Sequence, residues 1–249
     1  MNSGSSRQDL IEQLQRQLRD EIARIHLPDN NSAARHALQR LEAVAEHAPT
    51  CIALLAEPWL DAGVDPHAQQ LLEDCARVHL YARILDDALD EDLSVCRHNL
   101  LRAQPLFWDA VQRIGANVSA EVAEAAGQLI RQTVAAVQDD DLCRHPRSWG
   151  PKNHHLLLVP LLLSDDSAAY RACRDGLSNF IALVQAGDEW KQGALADAEL
   201  RNQLLDFITH SLDTECLAQL DHHGWHDVAA RIVWNAEQLI GVLSAPLPV

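Results

Sequence analysis

The residues best suited to chemistry lie in the stretch 83–97, Arg-Ile-Leu-Asp-Asp-Ala-Leu-Asp-Glu-Asp-Leu-Ser-Val-Cys-Arg. Five of the seven residues 86–92 are acidic, yet the run starts inside a strongly apolar helical pattern. On a helix, Asp90 stands about 40° from Asp86 and about 60° from Asp87 on the other side, so the three carboxylates share one face. Such a cluster repels itself unless cations hold it, and hard divalent ions with oxygen ligands do so best. The plainer alternative is a solvated acidic helix end. A second acidic spot, Gln-Ala-Gly-Asp-Glu-Trp-Lys-Gln at 185–192, closes another long apolar helix. If the two helices face each other, Asp188 and Glu189 point into the same cavity as Asp86 and Asp90. Two acidic helix ends around one cavity, with bases nearby, suit a metal-bridged diphosphate, because metal ions neutralise both the carboxylates and the substrate oxygens. Taken singly, Asp188 and Glu189 read as an exposed helix terminus.

Other constellations carry less. His222, His223 and His226 have an H-H-x-x-H look but no clear fourth ligand, and a solvated loop explains them as well. His154 and His155 open an apolar helix, where packing or capping is the expected role. His79, about two turns ahead of Asp86, reads as a core histidine. His226-Asp227 has the look of a metal phosphohydrolase dyad, but too little chain follows for a further aspartate. No E-x-x-H occurs in the sequence, which excludes the ferritin-like di-iron pattern. Of the six tryptophans only Trp190, beside the second acidic spot, is placed to touch a substrate.

The elements that must position these residues read as helices throughout. Leu10, Leu14, Leu18, Ile22 and Ile25 recur at helical spacing in a first helix that stops at Pro28. Ser32 is expected to cap a second, ending before Pro49, and a short apolar helix follows at 51–60. Pro66 opens the long helix that carries the acidic run, with Leu71, Leu72, Cys75, Val78, Ala82, Leu85 and Leu89 as its buried stripe. Helical runs follow at 95–114, with a break or kink expected at Pro105, and at 120–138, capped by Ser119. Four more lie at 154–163, 167–192, 196–220 and 225–243. No stretch alternates with period two between turn signals, so a sheet is not expected.

At 249 residues the chain can bury a real core, and 47% hydrophobic with 22% charged residues is a globular profile. A net charge of −16 argues against a nucleic-acid partner, since phosphate backbones need clustered Lys and Arg. The six cysteines are scattered, form no C-x-x-C pair, and read as buried hydrophobes of a reducing compartment. No transmembrane segment or signal peptide is read, and the cytoplasm is the default expectation. The expected architecture is all-α, about nine or ten helices, with 1–7 as a flexible tail and 8–245 as a single domain.

Asp86-Asp87-Ala-Leu-Asp90 resembles the first aspartate-rich motif, D-D-x-x-D, of class I isoprenoid synthases, the superfamily of trans-prenyltransferases and terpene synthases. Asp92 also satisfies the longer D-D-x-x-x-x-D form, and Arg97 stands where those enzymes place an arginine. Gly127-Gln128 resembles the G-Q pair of a middle helix in trans-prenyltransferases. Lys152, 24 residues beyond Gln128, is similar in place to their diphosphate-contacting lysine. Gln185-Ala-Gly-Asp188-Glu189 resembles their F-Q-x-x-D-D motif. The resemblance covers residues 66–192.

The departures are specific. The second motif reads D-E-x-x-Q, with Glu189 and the neutral Gln192 in place of aspartates. The basic segment that binds isopentenyl diphosphate has no counterpart in Arg35 and Arg40, and His98 replaces a second arginine. Aromatic residues are 4%, thin for steadying carbocations. The resemblance implies a helical bundle of the isoprenoid synthase type around a central cavity and a prenyl diphosphate substrate. It also implies more than one Mg2+ ion, held by Asp86, Asp87, Asp90, Asp188 and Glu189. Lys152, Arg97 and Arg83 would bind diphosphate, with Gln185 and Trp190 beside the substrate; Arg83 can equally be an ion-pair partner of Asp87 one turn on. Leu85, Leu89, Ile181 and Val184 would shield the carbocation. A homodimer is implied by resemblance alone. The expected chemistry is ionisation of an allylic prenyl diphosphate, followed by cyclisation or transfer. A helical partner subunit that keeps the fold without the activity is the alternative.

Overall fold

A computed structural model describes residues 7–26, 31–60, 63–90, 93–140, 149–164, 167–191 and 198–244, without the side chains of Asp90, Asp139, Asp140 and Lys191. Among the described residues the fold is all-α, with no strand. Eleven α-helices and one 3₁₀ segment are present: α1 Arg7–Ile25, α2 Ser32–Leu55, α3 Glu57–Leu60, α4 Pro66–Asp90, α5 Ser94–Asn117, α6 Ala120–Asp140, the 3₁₀ segment Pro151–Leu157, α7 Leu158–Ser164, α8 Ala168–Lys191, α9 Ala198–Ser211, α10 Thr214–His222 and α11 His226–Leu243. No described helix is long and apolar enough to cross a membrane.

The chain gathers into two compact units. The first comprises residues 1–127 and 158–165, the second 128–157 and 166–249, so that α6 begins in one and ends in the other.

In the first unit α4 is the central element, packed on α5, α2, α1 and α7. Pro66 sits at its first turn, where a missing N–H costs nothing, and Asp65 Oδ1 caps it by accepting from Ala68 N at 2.7 Å. Leu71, Leu72, Cys75, Val78 and Ala82 are buried as the spacing requires. The stripe ends there: Leu85 is half-buried and Leu89 is 52% exposed.

Two prolines lie inside helices rather than ending them. α2 runs through Pro49 and α5 through Pro105, although each proline removes a hydrogen bond and crowds the preceding turn. The apolar stripes explain this, because Ala45, Ala48 and Ile52 stay in phase and buried across Pro49, as do Ala103, Ala110 and Ile114 across Pro105. α2 is capped by Asn31, not Ser32; its Oδ1 accepts from Ala34 N at 2.7 Å. Ser119 does cap α6, accepting from Val122 N at 3.3 Å.

In the second unit α8 is the spine, against which α11, α10, α9 and the 3₁₀ segment pack. Trp149, Phe180, Leu204, Ile208, Trp225 and Ile232 are buried there. The run 196–220 divides at Leu212, because Asp213 caps a new helix by accepting from Glu215 N at 2.9 Å. Gly224, with φ 90°, supplies the left-handed turn between α10 and α11 that a side chain would resist. The stretch 151–157, expected to be partly α-helical, is a 3₁₀ segment leading into α7.

Candidate functional site

The sequence-predicted residues fall into two clusters, one in each unit. In the first unit the last turns of α4 carry Asp86 and Asp87, 7% and 6% exposed. Carboxylates so deeply placed need cationic partners. Asp86 Oδ2 is met by Arg83 Nη1 at 2.9 Å, an i,i+3 pair on the same helix. Arg83 therefore pairs with Asp86 rather than with Asp87. Asp87 is met from α2, where Arg40 Nε donates to Oδ1 at 2.8 Å and Nη2 donates to the same oxygen. Arg40 was not expected at this site. Its 47-residue separation from Asp87 hides it from any local motif, and only the packing of α2 on α4 brings it there.

Asp90 is the last residue of α4, and its side chain lies outside the described set, as do Glu91 and Asp92. Arg97 is exposed on the first turn of α5. His79, two turns before Asp86, is pushed down to about 3 by burial and by the nearby Arg83 charge, so it is a neutral imidazole at ordinary pH.

In the second unit the 3₁₀ segment and α8 bring together Lys152, Gln185 and Glu189. Lys152 is 7% exposed, and its Nζ lies 3.7 Å from Glu189 Oε1. Gln185 Nε2 donates to the same Glu189 oxygen at 2.8 Å, one turn along α8. Asn153 Nδ2 in turn donates to Gln185 Oε1 at 3.2 Å, a fourth member that no motif marked. The close seating of the 3₁₀ segment depends on Gly150, where a Cβ would come within 3.2 Å of Ser178 Oγ. His154 Nε2 pairs with Ser178 Oγ at 3.1 Å, and burial with the Arg174 charge lowers it to about 4. Next to it, His155 N donates to Thr133 Oγ1 at 2.9 Å, so both histidines serve the packing of this segment. Asp188 is exposed, Glu189 half-buried and Trp190 43% exposed. Gln192 lies outside the described residues. Gln128 is exposed on α6, and Val184, expected to shield a carbocation with buried Ile181, is 38% exposed.

Among the described residues no group of three His, Cys, Asp or Glu side chains stands close enough to hold a metal ion. The donor chemistry of the acidic run nevertheless fits magnesium. Its ligating atoms would be hard carboxylate oxygens, and each described arginine contact engages one oxygen of its aspartate. His222, His223 and His226 do not assemble as ligands: the first two stack edge to face, and His226 Nδ1 meets Asp221 Oδ1 at 2.6 Å. The first unit also contains a cavity of about 470 Å³, bounded by Trp59, Val64, His67, Leu71, Val118 and Leu162. It lies at the start of α4, and the helical rise puts Asp86 roughly 23 Å beyond Leu71, so the cavity and the acidic cluster are separate features.

Compared with protein-family models, curated proteins and solved structures, the chain matches none of them.

Proposed function

We propose that the protein is a magnesium-dependent enzyme acting on an allylic prenyl diphosphate, of the class I isoprenoid synthase type. The observation that supports this reading is the Lys152–Gln185–Glu189 cluster. Residues 152 and 185–189, far apart in sequence and singled out separately, meet through a buried lysine with a carboxylate and amides around it. Burying an ammonium costs desolvation that Glu189 at 3.7 Å offsets only in part, and binding a further anion would account for it.

In this reading Lys152 binds diphosphate oxygens and stabilises the charge that develops on them. Gln185 orients Glu189 through their hydrogen bond, and Trp190 offers an aromatic face to the substrate. Asp86, Asp87 and Asp90, and in the other cluster Asp188 and Glu189, would be the magnesium ligands. Magnesium supplies charge neutralisation that makes diphosphate a good leaving group. Buried Ile181 would help keep water from the cation that remains, whereas Val184 on the same helix is 38% exposed. Cyclisation or transfer to a non-isoprenoid acceptor completes the reaction.

The test is incubation with geranyl, farnesyl and geranylgeranyl diphosphates and magnesium, measuring pyrophosphate release. Release by the wild type, lost in Asp86→Ala and in Lys152→Ala, is expected. Full turnover in Asp86→Ala would sink the mechanism.

One observation favours a second reading, a partner subunit or binding module that keeps the helices without the activity. Asp86 and Asp87 already have guanidinium partners, so their burial needs no metal. Thermal stability separates the two readings, since a ligand bound only by the folded chain raises the midpoint. No rise with magnesium and pyrophosphate together would favour the second.

A further inference from the structure

We propose that Cys173 and Cys216 form an oxidisable pair, which hydrogen peroxide converts into a disulfide that fastens α10 to α8. The proposal stands apart from the prenyl diphosphate reading and shares no residue with it.

Both cysteines are free thiols of the second unit, one on each of two helices that pack together. Each sulfur rests against the other's helix. Cys173 Sγ donates at 3.4 Å to the carbonyl of Gln219 on α10, one turn beyond Cys216. Cys216 Sγ sits over Gly176 of α8, one turn beyond Cys173, where a Cβ would come within 3.0 Å of it. A disulfide forms only where two backbones approach within about 7 Å. Gly176 permits a close approach here, because a Cβ would also meet Leu220 Cδ1 at 2.8 Å and hold the helices apart. Rotation about the two Cα–Cβ bonds is then the motion that brings sulfur to sulfur. The other described cysteines, Cys51, Cys75 and Cys96, belong to the first unit.

The two thiols differ in access. Cys173 is 1% exposed and Cys216 is half-buried, so Cys216 is the one that meets the oxidant. Its thiolate attacks one peroxide oxygen, the O–O bond breaks, and the departing hydroxide takes a proton to leave as water, giving a sulfenic acid. The Cys173 sulfur then attacks the Cys216 sulfur, the S–O bond breaks, and hydroxide carries off the Cys173 proton as a second water. Two thiols lose two electrons and one peroxide becomes two waters. Burial, with Cys216 close by, pushes Cys173 up to about 11; burial, with Asp175 and Asp213, raises Cys216 too. Thiolate is therefore scarce at neutral pH, and the pair answers sustained oxidant rather than a trace of it. The bond closes a loop of about 40 residues and so restricts the unfolded chain.

The experiment exposes the reduced, folded full chain to hydrogen peroxide, blocks the remaining thiols, digests it without reductant and maps the peptides by mass spectrometry. Thermal melting is followed on the same samples. The wild type should yield a peptide linked through Cys173 and Cys216. Its melting midpoint should rise by roughly 5–15 °C, and dithiothreitol should reverse the rise. The linked peptide should form faster at pH 8.5 than at pH 7, as the thiolate fraction grows. Cys143→Ser, a change outside the described residues, should keep both the link and the rise. Cys216→Ser, at a half-buried position, should lose both, and so should Cys173→Ser. The wild-type map needs no variant to fold. Oxidation of Cys216 to sulfinic acid, or its linkage to Cys143 or to a second chain in place of Cys173, would overturn the pair. A Cys173–Cys216 link that appears only when urea is present would overturn it as a feature of the fold. A link formed without any rise in the midpoint would overturn the fastening of α10 to α8.

Discussion

Asp74 offers the sharpest structural test. It is 0% exposed on α4 and is held by two arginines. Arg77 Nη1 lies 2.7 Å from Oδ1, one turn along the same helix. Arg113 of α5 grips both oxygens, with Nη2 on Oδ1 at 2.7 Å and Nε on Oδ2 at 3.1 Å, and the carboxylate raises the Arg113 pKa further. Breaking a buried ion pair by removing one partner costs about 3–5 kcal/mol, because the surviving charge is left without compensation. In Asp74→Ala the survivors are unequal. The Arg113 side chain is 39% exposed and recovers water, while Arg77, 14% exposed, keeps Glu21 at 3.3 Å. The expected loss is therefore at the low end, about 3 kcal/mol, which lowers the melting temperature of a chain this size by about 6–12 °C. The assay is urea and thermal unfolding of Asp74→Ala, Arg113→Ala and the double variant. Arg113→Ala should cost less than Asp74→Ala, and the double variant less than the sum of the singles. A loss below about 1 kcal/mol for Asp74→Ala, the size of an exposed pair, would refute the claim that burial makes this cluster costly to break.

Packing and protonation give further tests. Gly176→Ala should destabilise by about 1–3 kcal/mol, since its Cβ would come within 2.8 Å of Leu220 Cδ1 and 3.0 Å of Cys216 Sγ. Gly115→Ala, inside α5 with nothing within 4 Å, should stabilise by about 0.5–1 kcal/mol; melting curves of both variants check the contrast. His79 and His154 are lowered from 6.5 to about 3 and about 4, so below pH 6.5 the unfolded chain takes up protons that the folded chain refuses. Their contribution is intact above that pH and falls by about 1.4 kcal/mol per pH unit for each histidine as pH drops towards its folded value. Urea midpoints measured from pH 7.5 to 5 should show the decline, and His79→Gln and His154→Gln should each flatten it; an unchanged slope in both variants would count against the burial of their rings.

Local patterns carried most of the helix assignment and failed where packing overruled propensity. The all-α reading, the opening of α4 at Pro66 and the Ser119 cap all depend on residues a few positions apart, and they stand in the fold. Pro49 misled because the rule that proline ends a helix takes no account of an apolar stripe staying in phase on both sides. Leu89 misled in the opposite sense: periodicity extends the stripe of α4 to its end, but periodicity says nothing about where the neighbouring helices stop. At the candidate site, Lys152 with Gln185 and Glu189 was legible because each lies in its own short motif. Arg40 and Asn153 were not, since neither has a local signature and each is recruited by a helix pairing remote in sequence.

The two described aspartates of the acidic run show how arginines make buried carboxylates tolerable. Residues 86–92 hold five acidic side chains, and the described partners Arg40 and Arg83 answer two of them. An acidic helix end that was merely solvated would place its carboxylates in water, yet Asp86 and Asp87 are buried. Burying two carboxylates raises the local demand for a cationic partner. Arg40 and Arg83 answer that demand at Asp86 and Asp87, and so let the end of α4 fold with both carboxylates buried.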